Sequence, residues 1–345
     1  MKIIIISMSA IALICVVLLG CKKNASCDYT DNTTSVSSCN FNDTLNMATG
    51  TDSTGVLILP GSGVKDPYWK LLNNPPLVAC TNALTSTIDG SAYVINFLSS
   101  SSTGWVNQPS ASTLSPIDLG TANSFGCNNS TNGSGQRVPY VFERPFCVNN
   151  NTKIDFSYTF RGDDEIYFEL INNNTGTVIH TSPTYIFPAV TGTWTASNLA
   201  ITAGSYSIRA YLTNISSVVL GCSFVGVLKT SAGDKSISNN SNGCCENNTI
   251  SILAINESNC SGAFDAMDIV ATGWMFLIKN SSGNTISTGT TDINGNLFVS
   301  GLSNGTYTIQ IIPQMGWTSN NPLGGTSTVV MNGSDIKLVT FYNCK

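Results

Sequence analysis

The chain has 345 residues, of which 42% are hydrophobic and only 10% charged, and its formal net charge is −5. A hydrophobic fraction of this size supports folded cores and excludes a wholly disordered chain, while the sparse charge moves the polar character to Ser, Thr, Asn and Gly. No run of Lys and Arg occurs beyond Lys22-Lys23, which excludes a nucleic-acid-binding face, and the single histidine, His180, argues against His-dependent catalysis.

Residues 1–20 have the character of a signal peptide. Lys2 is followed by an uncharged apolar segment, which ends in Leu18-Leu19-Gly20-Cys21 and resembles a bacterial lipobox. The resemblance implies that Cys21 becomes the acylated N-terminus and attaches the protein to the membrane through lipid. Lys22 stands where aspartate is associated with inner-membrane retention, so the outer membrane or cell surface is favoured. An uncleaved membrane anchor is the alternative.

Cysteine usage is typical of an exported protein. Removing Cys15 and Cys21 from the twelve cysteines leaves ten, an even number that favours up to five disulfides. The chain contains no C-x-x-C pair, so the cysteine spacing does not indicate a zinc site. The sequence does not determine the pairing; we favour Cys27 with Cys39. The other cysteines are expected to pair within a middle group and a C-terminal group, namely Cys80, Cys127, Cys147 and Cys222, then Cys244, Cys245, Cys260 and Cys344.

Residues 21–48 lack hydrophobic periodicity and predict a polar stalk. Residues 49–232 then alternate short β-type runs with turn residues, show no amphipathic helix, and predict an antiparallel β-sandwich. The predicted strands are Gly55–Leu59, Ala92–Phe97, Lys153–Phe160, Glu165–Ile171, Gly176–His180, Ser205–Leu212 and Val218–Leu228.

Residues 233–245 form a second polar break, read as a linker, and residues 246–345 predict a second, compact all-β domain. Asn294-Gly295 supplies the tightest hairpin-turn signal. Seven short strands in about 100 residues are typical of an immunoglobulin-like or prealbumin-like sandwich. These strands are Thr249–Ile255, Gly273–Lys279, Thr285–Thr291, Leu297–Leu302, Thr306–Ile312, Thr326–Met331 and Ile336–Tyr342.

Both β regions carry motifs of known families. The C-terminal motifs are Gly273-Trp274, Thr290–Asp292, Asn294–Asn296, Phe298, Gly301-Leu302, Gly305–Ile309 and Gly316–Thr318. They resemble the B-type repeat domain of serine-aspartate repeat surface adhesins, which implies a prealbumin-like fold. The middle motifs are Asp66–Trp69, Trp105, Tyr140–Phe146, Gly162–Phe168 and Gly204–Tyr206. They resemble a galactose-binding-like jelly roll, which implies a non-catalytic fold used for glycan or protein contact.

The loop Glu257–Asp268 has the oxygen spacing of a calcium loop. Counted from Glu257, oxygen-bearing side chains fall at positions 1, 3, 5, 9 and 12, with Gly262 at the turn position 6. The predicted Ca²⁺ ligands are Glu257, Asn259, Ser261, the carbonyl of Ala263, Asp265 and Asp268. The B-type repeats carry a comparable acidic loop. Three carboxylates predict weak affinity, and a solvated loop closed by Cys260 is the alternative.

Other residues bear on ligand binding or catalysis. Glycan-binding sandwiches stack sugars on aromatic side chains, so the middle domain offers ligand-binding candidates, although large aromatics are also common in cores. These candidates are Tyr68, Trp69, Trp105 and Trp194. Asp163-Asp164-Glu165 suggests either a charged turn or a carboxylate pair for glycan hydrolysis. Arg161-Gly162-Asp163 spells an integrin-type tripeptide that also arises by chance.

The sequence therefore predicts a non-enzymatic, lipid-anchored bacterial surface protein that binds a glycan or a protein, in the manner of an adhesin. Its partners would be the membrane, through lipid, and that ligand, and Ca²⁺ would be its one cofactor. The alternatives are a structural spacer or envelope-assembly part without a ligand, and a carboxylate-dependent glycan hydrolase.

Overall fold

In a computed structural model of the chain, the structure describes residues 39–52, 54–61, 63–73, 75, 77–78, 90–95, 108, 110–116, 128–129, 131–132, 134–186, 191–214, 221–239, 248–265, 267–332 and 335–345. The signal peptide, Cys21, Cys27 and Trp105 lie outside the described residues, and so do the predictions made for them. Within the described ranges, no helix is both long enough and apolar enough to cross a membrane.

The first domain is an all-β sandwich whose main part is one antiparallel sheet of 13 strands, beside a separate two-stranded sheet. Its central strands run in the order β10-β9-β13-β7-β2-β4-β5-β14-β8-β12, while β1, β11 and β15 pair with β14, β9 and β7. The strands are β1 (Thr44–Asn46), β2 (Lys65–Leu71), β3 (Leu77–Val78), β4 (Ser91–Ile95), β5 (Thr113–Ser115), β6 (Asn128–Asn129), β7 (Tyr140–Val148), β8 (Thr152–Asp163), β9 (Glu165–Asn172), β10 (Thr177–Thr181), β11 (Tyr185–Ile186), β12 (Gly192–Ile201), β13 (Gly204–Thr213), β14 (Gly221–Thr230) and β15 (Ile237–Asn239).

Aromatic side chains fill the space between the two layers of this sandwich. Phe168 on β9 lies 5.9 Å from the ring of Trp194 on β12 and 4.8 Å from that of Phe224 on β14. Strand β8 alternates buried Phe156 and Phe160 with exposed residues, as the period of a half-buried strand requires. The predicted sandwich of short antiparallel strands is therefore confirmed.

The first sandwich begins earlier and ends later than the sequence predicts. Leu45 and Met47, assigned to the stalk, are buried in its core, as is Ile237, assigned to the linker. These few apolar residues lie among polar neighbours, so their segments show no hydrophobic periodicity. The predicted strand Gly55–Leu59 is instead a loop in which Val56 and Leu59 are 62% and 83% exposed.

The second domain is a sandwich of two sheets, ordered β17-β16-β24-β22 with β20 beside β16, and β19-β18-β21-β23. All seven predicted strands are present, and Trp274, Phe276 and Phe341 lie in the core. Strands β16 and β24 pair in parallel, which the sequence did not indicate. The strands are β16 (Asn248–Asn256), β17 (Ile269–Val270), β18 (Met275–Lys279), β19 (Thr285–Thr290), β20 (Asn296–Leu302), β21 (Gly305–Ile311), β22 (Thr318–Asn321), β23 (Thr326–Met331) and β24 (Ile336–Cys344).

One five-residue turn recurs in both sandwiches. It starts at Asp52, Asn132, Asn280 and Asp292, whose Oδ1 accepts hydrogen bonds from the N–H groups two and four residues later. The fourth residue is always glycine with φ between 75° and 85°, a conformation that other residues rarely adopt. The turn therefore requires Asn or Asp at its first position and glycine at its fourth.

The structure describes five of the cysteines, and Cys80, Cys127, Cys244 and Cys245 lie outside the described residues with the predictions made for them. Cys260 and Cys344 form a disulfide, as expected for two members of the C-terminal group, and Cys39 and Cys147 each take part in a disulfide. Cys222, predicted to pair within the middle domain, is instead a free thiol, 2% exposed in the apolar core. It behaves as a small hydrophobic residue there, and burial raises the pKa of the thiol to about 12.

Candidate functional site

The structure corrects two of the aromatic ligand-binding candidates. Trp69 and Trp194 are each 1% exposed, and their indole N–H groups donate to Met47 O and to His180 Nδ1, the latter at 2.8 Å. Their rings complete the core and offer no open face to a sugar. Tyr68 is half-buried, with its ring 4.3 Å from the Arg144 guanidinium carbon. Trp105 lies outside the described residues.

The carboxylates of the predicted calcium loop accept hydrogen bonds from the protein itself. Glu257 accepts from Gly262 N–H and from Asn320 Nδ2. Asp268 accepts from the N–H groups of Ser258 and Asp265 at 2.8 and 2.9 Å.

Asn259 Nδ2 donates to Asp265 in the same loop, Ser261 Oγ donates to Ala263 O at 2.8 Å, and the Cys260–Cys344 disulfide closes it. Among the described residues, no three His, Cys, Asp or Glu side chains group closely enough to hold a metal ion. The predicted convergence of these ligands is therefore not found: donors from the loop and from strand β22 occupy the oxygens.

The acidic triplet contains a coupled pair of carboxyl groups. Asp163 and Asp164 are 6% and 9% exposed, and their side chains hydrogen-bond to each other. Burial, followed by this hydrogen bond and the charge of Asp164, raises the pKa of Asp163 to about 7. Glycosidases hold their two carboxyl groups at least about 5 Å apart to flank a glycosidic bond, so a pair in direct contact does not fit the hydrolase alternative.

The tripeptide Arg161-Gly162-Asp163 lies at the end of strand β8 rather than on an exposed turn. Arg161 is half-buried, Asp163 is buried, and a Cβ on Gly162 would lie 2.6 Å from the side chain of Ile166. The packing of Gly162 against Ile166 therefore explains this glycine, and the acid is not presented to a partner.

A cleft lies between the two sandwiches. Its volume is about 600 Å³. One wall is the outer face of β9 and β13 with the turn that follows β9, and the other is the β19–β20 hairpin. Polar groups dominate the lining, which includes Glu169, Asn173, Thr288, Asp292 and Asn296.

Two tyrosines form the aromatic part of this site. Tyr211 on β13 lines the cleft, and its ring stacks on Tyr167 of the neighbouring β9 with a centroid distance of 4.5 Å and an interplanar angle of 3°. The two are directly opposite in the β-ladder. Tyr211 Oη donates to Glu169 Oε2 at 2.7 Å, so the ring is fixed by stacking and by a hydrogen bond.

Arg209 fixes the geometry of the cleft from beneath. Its Nε donates to Glu143 Oε1 at 2.9 Å and its Nη2 donates to Ser300 Oγ at 3.0 Å, across the junction. The guanidinium also lies over the ring of Phe298, 5.0 Å from the centroid. Glu143 thus neutralises the charge of Arg209, and the same guanidinium links the first sandwich to Ser300 of the second.

Further contacts hold the sandwiches together on either side of Arg209. Val138 of the first domain packs in an apolar cluster with Leu253 and Ile255 of the second. Asn132 Nδ2 donates to Asn294 Oδ1 at 3.2 Å, which joins two of the recurrent turns. The walls of the cleft therefore belong to one connected structure.

Sequence reasoning missed this cleft because its two walls come from segments more than 70 residues apart in the chain. One signal was available: strands β9 and β13 place Tyr167, Tyr211, Glu169 and Arg209 on the face opposite the core. When aromatic and charged residues lie opposite each other on neighbouring strands and face away from the core, they indicate a surface that binds a ligand or packs against another domain.

No protein-family profile and no curated protein matches the chain. Solved structures that align with it include the Bacillus anthracis TIE protein, at 14% identity and a TM-score of 0.23, over 63% of this chain and 39% of that one. The group B streptococcus pilus 2b backbone protein aligns at 13% identity and a TM-score of 0.23, over 63% and 95%. A carbohydrate-binding module, CBM36 in complex with calcium and xylotriose, aligns at 10% identity and a TM-score of 0.21, over 47% and 98%.

Proposed function

We propose that the protein is a lipid-anchored bacterial surface protein that binds a glycan, without turnover, in the cleft between its sandwiches. The observation that carries the proposal is the cleft of about 600 Å³, a size suited to a few sugar units, with walls contributed by both domains. Contacts across the junction hold these walls, so the site is formed before a ligand arrives. Preformed sites bind with less loss of conformational entropy.

The chemistry of the lining supports a glycan. Sugars combine hydroxyl groups, which need donors and acceptors on the protein, with apolar C–H faces that lie against aromatic rings. The cleft offers amide, hydroxyl and carboxylate side chains beside the fixed ring of Tyr211. An apolar partner helix would meet too few apolar side chains here.

Glycan-array screening followed by calorimetry tests the proposal. The Tyr211→Ala variant is expected to lose at least about tenfold in affinity, since aromatic contact and the fixed ring both disappear. Tyr185→Ala, which truncates a half-buried tyrosine of the first sandwich outside the cleft lining, is the matched control and should bind as the wild type does. Equal binding by wild type and Tyr211→Ala would contradict the cleft as the site. A folded protein that binds no glycan would favour the spacer alternative.

Attachment to the membrane through acylated Cys21 is a second part of the proposal. It rests on the lipobox-like residues Leu18–Cys21 and on the export expected from the paired cysteines. Wild-type protein should partition into the detergent phase of a cell extract and Cys21→Ser into the aqueous phase. Detergent partitioning that persists in Cys21→Ser would indicate an uncleaved helix instead.

Calcium binding by the loop Glu257–Asp268 stays a prediction from the spacing. Uptake of the ion would require Glu257 and Asp268 to exchange their present N–H donors for the metal, so we expect dissociation constants no tighter than about 1 mM. Titration with about 5 mM CaCl₂ should then produce a small heat that Glu257→Gln abolishes. The absence of any heat would contradict the prediction.

A further inference from the structure

We propose that the cleft between the sandwiches selects amine-bearing sugars, such as non-acetylated amino sugars, over neutral or N-acetylated ones. This inference rests on the proposed function and specifies its ligand. It depends on the cavity, on a buried acceptor atom in its lining that has no partner, and on the charge balance of the walls.

Asn296 supplies the acceptor. The residue is 4% exposed, lines the cleft at the start of β20, and its Oδ1 has no hydrogen-bond partner among the described residues. A buried amide oxygen without a donor destabilises the fold, so such an atom in a binding cleft indicates a ligand that donates. An ammonium group carries three donors and no acceptor.

The charges on the walls point to the same class of ligand. Glu169 lies on one wall and Asp292 on the other. Arg209 is the one cation among the described residues that line the cleft, and its ion pair with Glu143 occupies it. Two carboxylates therefore face the space without a free counter-charge, which favours a cationic ligand. Tyr211, fixed by stacking on Tyr167, adds an aromatic ring of the kind that attracts cations.

The recurrent turn provides a variant that removes charge without changing the backbone. Asp292 occupies the first position of the turn, where Asn132 and Asn280 stand in two other copies and make the same two hydrogen bonds. Asp292→Asn should therefore fold normally and lose only a negative charge. Asp52→Asn makes the same change in a copy of the turn away from the cleft, and is the matched control.

The experiment compares oligomers of glucosamine with fully N-acetylated oligomers of the same length, by calorimetry on the full mature chain at a pH where the amine is protonated. We expect the amine form to bind about tenfold more tightly in about 20 mM NaCl, with the difference shrinking in about 500 mM NaCl because salt screens the carboxylates. Asp292→Asn should weaken binding of the amine form about three- to tenfold and leave the N-acetylated form unchanged, while Asp52→Asn changes neither.

The outcomes separate this inference from the proposed function. Equal binding of both oligomers by the wild type would overturn the amine selectivity and leave glycan binding in place. Failure of both oligomers, together with an empty glycan array, would overturn both proposals. Unchanged amine binding in Asp292→Asn would place the amine elsewhere. Tighter binding of a lysine-rich peptide than of the amino sugar would identify a protein partner and overturn the sugar assignment.

Discussion

Arg209 Nη2 and Ser300 Oγ meet at 3.0 Å and join the outer face of the first sandwich to strand β20 of the second. Ser300 Oγ also accepts the hydroxyl hydrogen of Thr249 at 3.0 Å, so the bond continues into the second domain. Because Arg209 pairs with the 1%-exposed Glu143, one guanidinium satisfies a buried carboxylate and an interdomain contact together.

The Arg209→Met variant should lower the free energy of unfolding by about 3–5 kcal/mol, because Glu143 is left as a buried charge without its partner. Replacing Glu143 by Gln in the same chain should recover much of that loss. Urea unfolding measures both. Arg161→Met, which removes a half-buried arginine of the same sandwich, is the comparison and should cost less than about 1 kcal/mol. A loss in Arg209→Met no larger than that in Arg161→Met would contradict the assigned role.

Stability should depend on pH through Asp163. Its pKa is raised to about 7 in the folded protein by burial and by Asp164, against 3.8 for the free group. The folded state therefore binds the proton more tightly than the unfolded chain, and stability is highest below pH 4 for this group and falls as pH rises from about 4 to 7.

Asp163→Asn supplies a permanent donor to Asp164 and should remove this pH dependence. At pH 8 we expect it to stabilise the fold by about 2 kcal/mol, half of what a three-unit shift amounts to, since solvent screens part of the interaction. Glu165→Gln, one residue beyond the pair, should keep the wild-type profile. Denaturant midpoints at pH 5 and 8 provide the measurement, and parallel profiles for Asp163→Asn and wild type would refute the shared proton.

Cys222 should resist alkylation in the native protein. The thiol is buried and its pKa is raised to about 12, so the reactive thiolate is scarce at neutral pH. Iodoacetamide is expected to modify Cys222 only after denaturation, without any reductant. Peptide mass mapping distinguishes the two states. Labelling of Cys222 under native conditions, or its recovery in a disulfide, would be incompatible with the structure.

The Cys260–Cys344 disulfide should stabilise the second sandwich. It connects residues 84 positions apart, joining the loop after β16 to the end of β24. Loop-closure entropy predicts that the Cys260→Ser/Cys344→Ser variant is less stable by about 2–4 kcal/mol. Thermal unfolding of the two proteins without reductant tests this. Melting temperatures that coincide would show that β16–β24 pairing alone fixes these ends.

The strands were largely predictable because their signal is local. Lys153–Phe160 and Ser205–Leu212 alternate apolar and polar residues, and the structure places strands there. Leu45 and Ile237 were missed because one apolar residue in a polar segment carries no period, although each completes a core from outside its own segment. The parallel pairing of β16 with β24 joins two strands that are far apart in the chain, so no local pattern of residues could predict it.

The candidate site was harder to predict because it depends on which side of a strand a residue occupies. Trp69 and Trp194 are suitable sugar platforms by residue type, yet both point into the core. Tyr211 and Asp292 are not among the predicted site residues, because only the packing of the two domains brings them to one cleft. The calcium loop stays a prediction from spacing alone, and spacing does not reveal that donors such as Asn320, 63 residues away from Glu257, hydrogen-bond to its carboxylate.

The recurrent turn also affects how such a protein can diversify. Its backbone is specified by an Asp or Asn at the first position and a glycine at the fourth, so the second, third and fifth side chains can be exchanged while the loop keeps its path. Asp292 and Asn296, the first and last residues of one copy, line the cleft. A lineage could therefore alter ligand preference at this rim by single substitutions, without a penalty in folding.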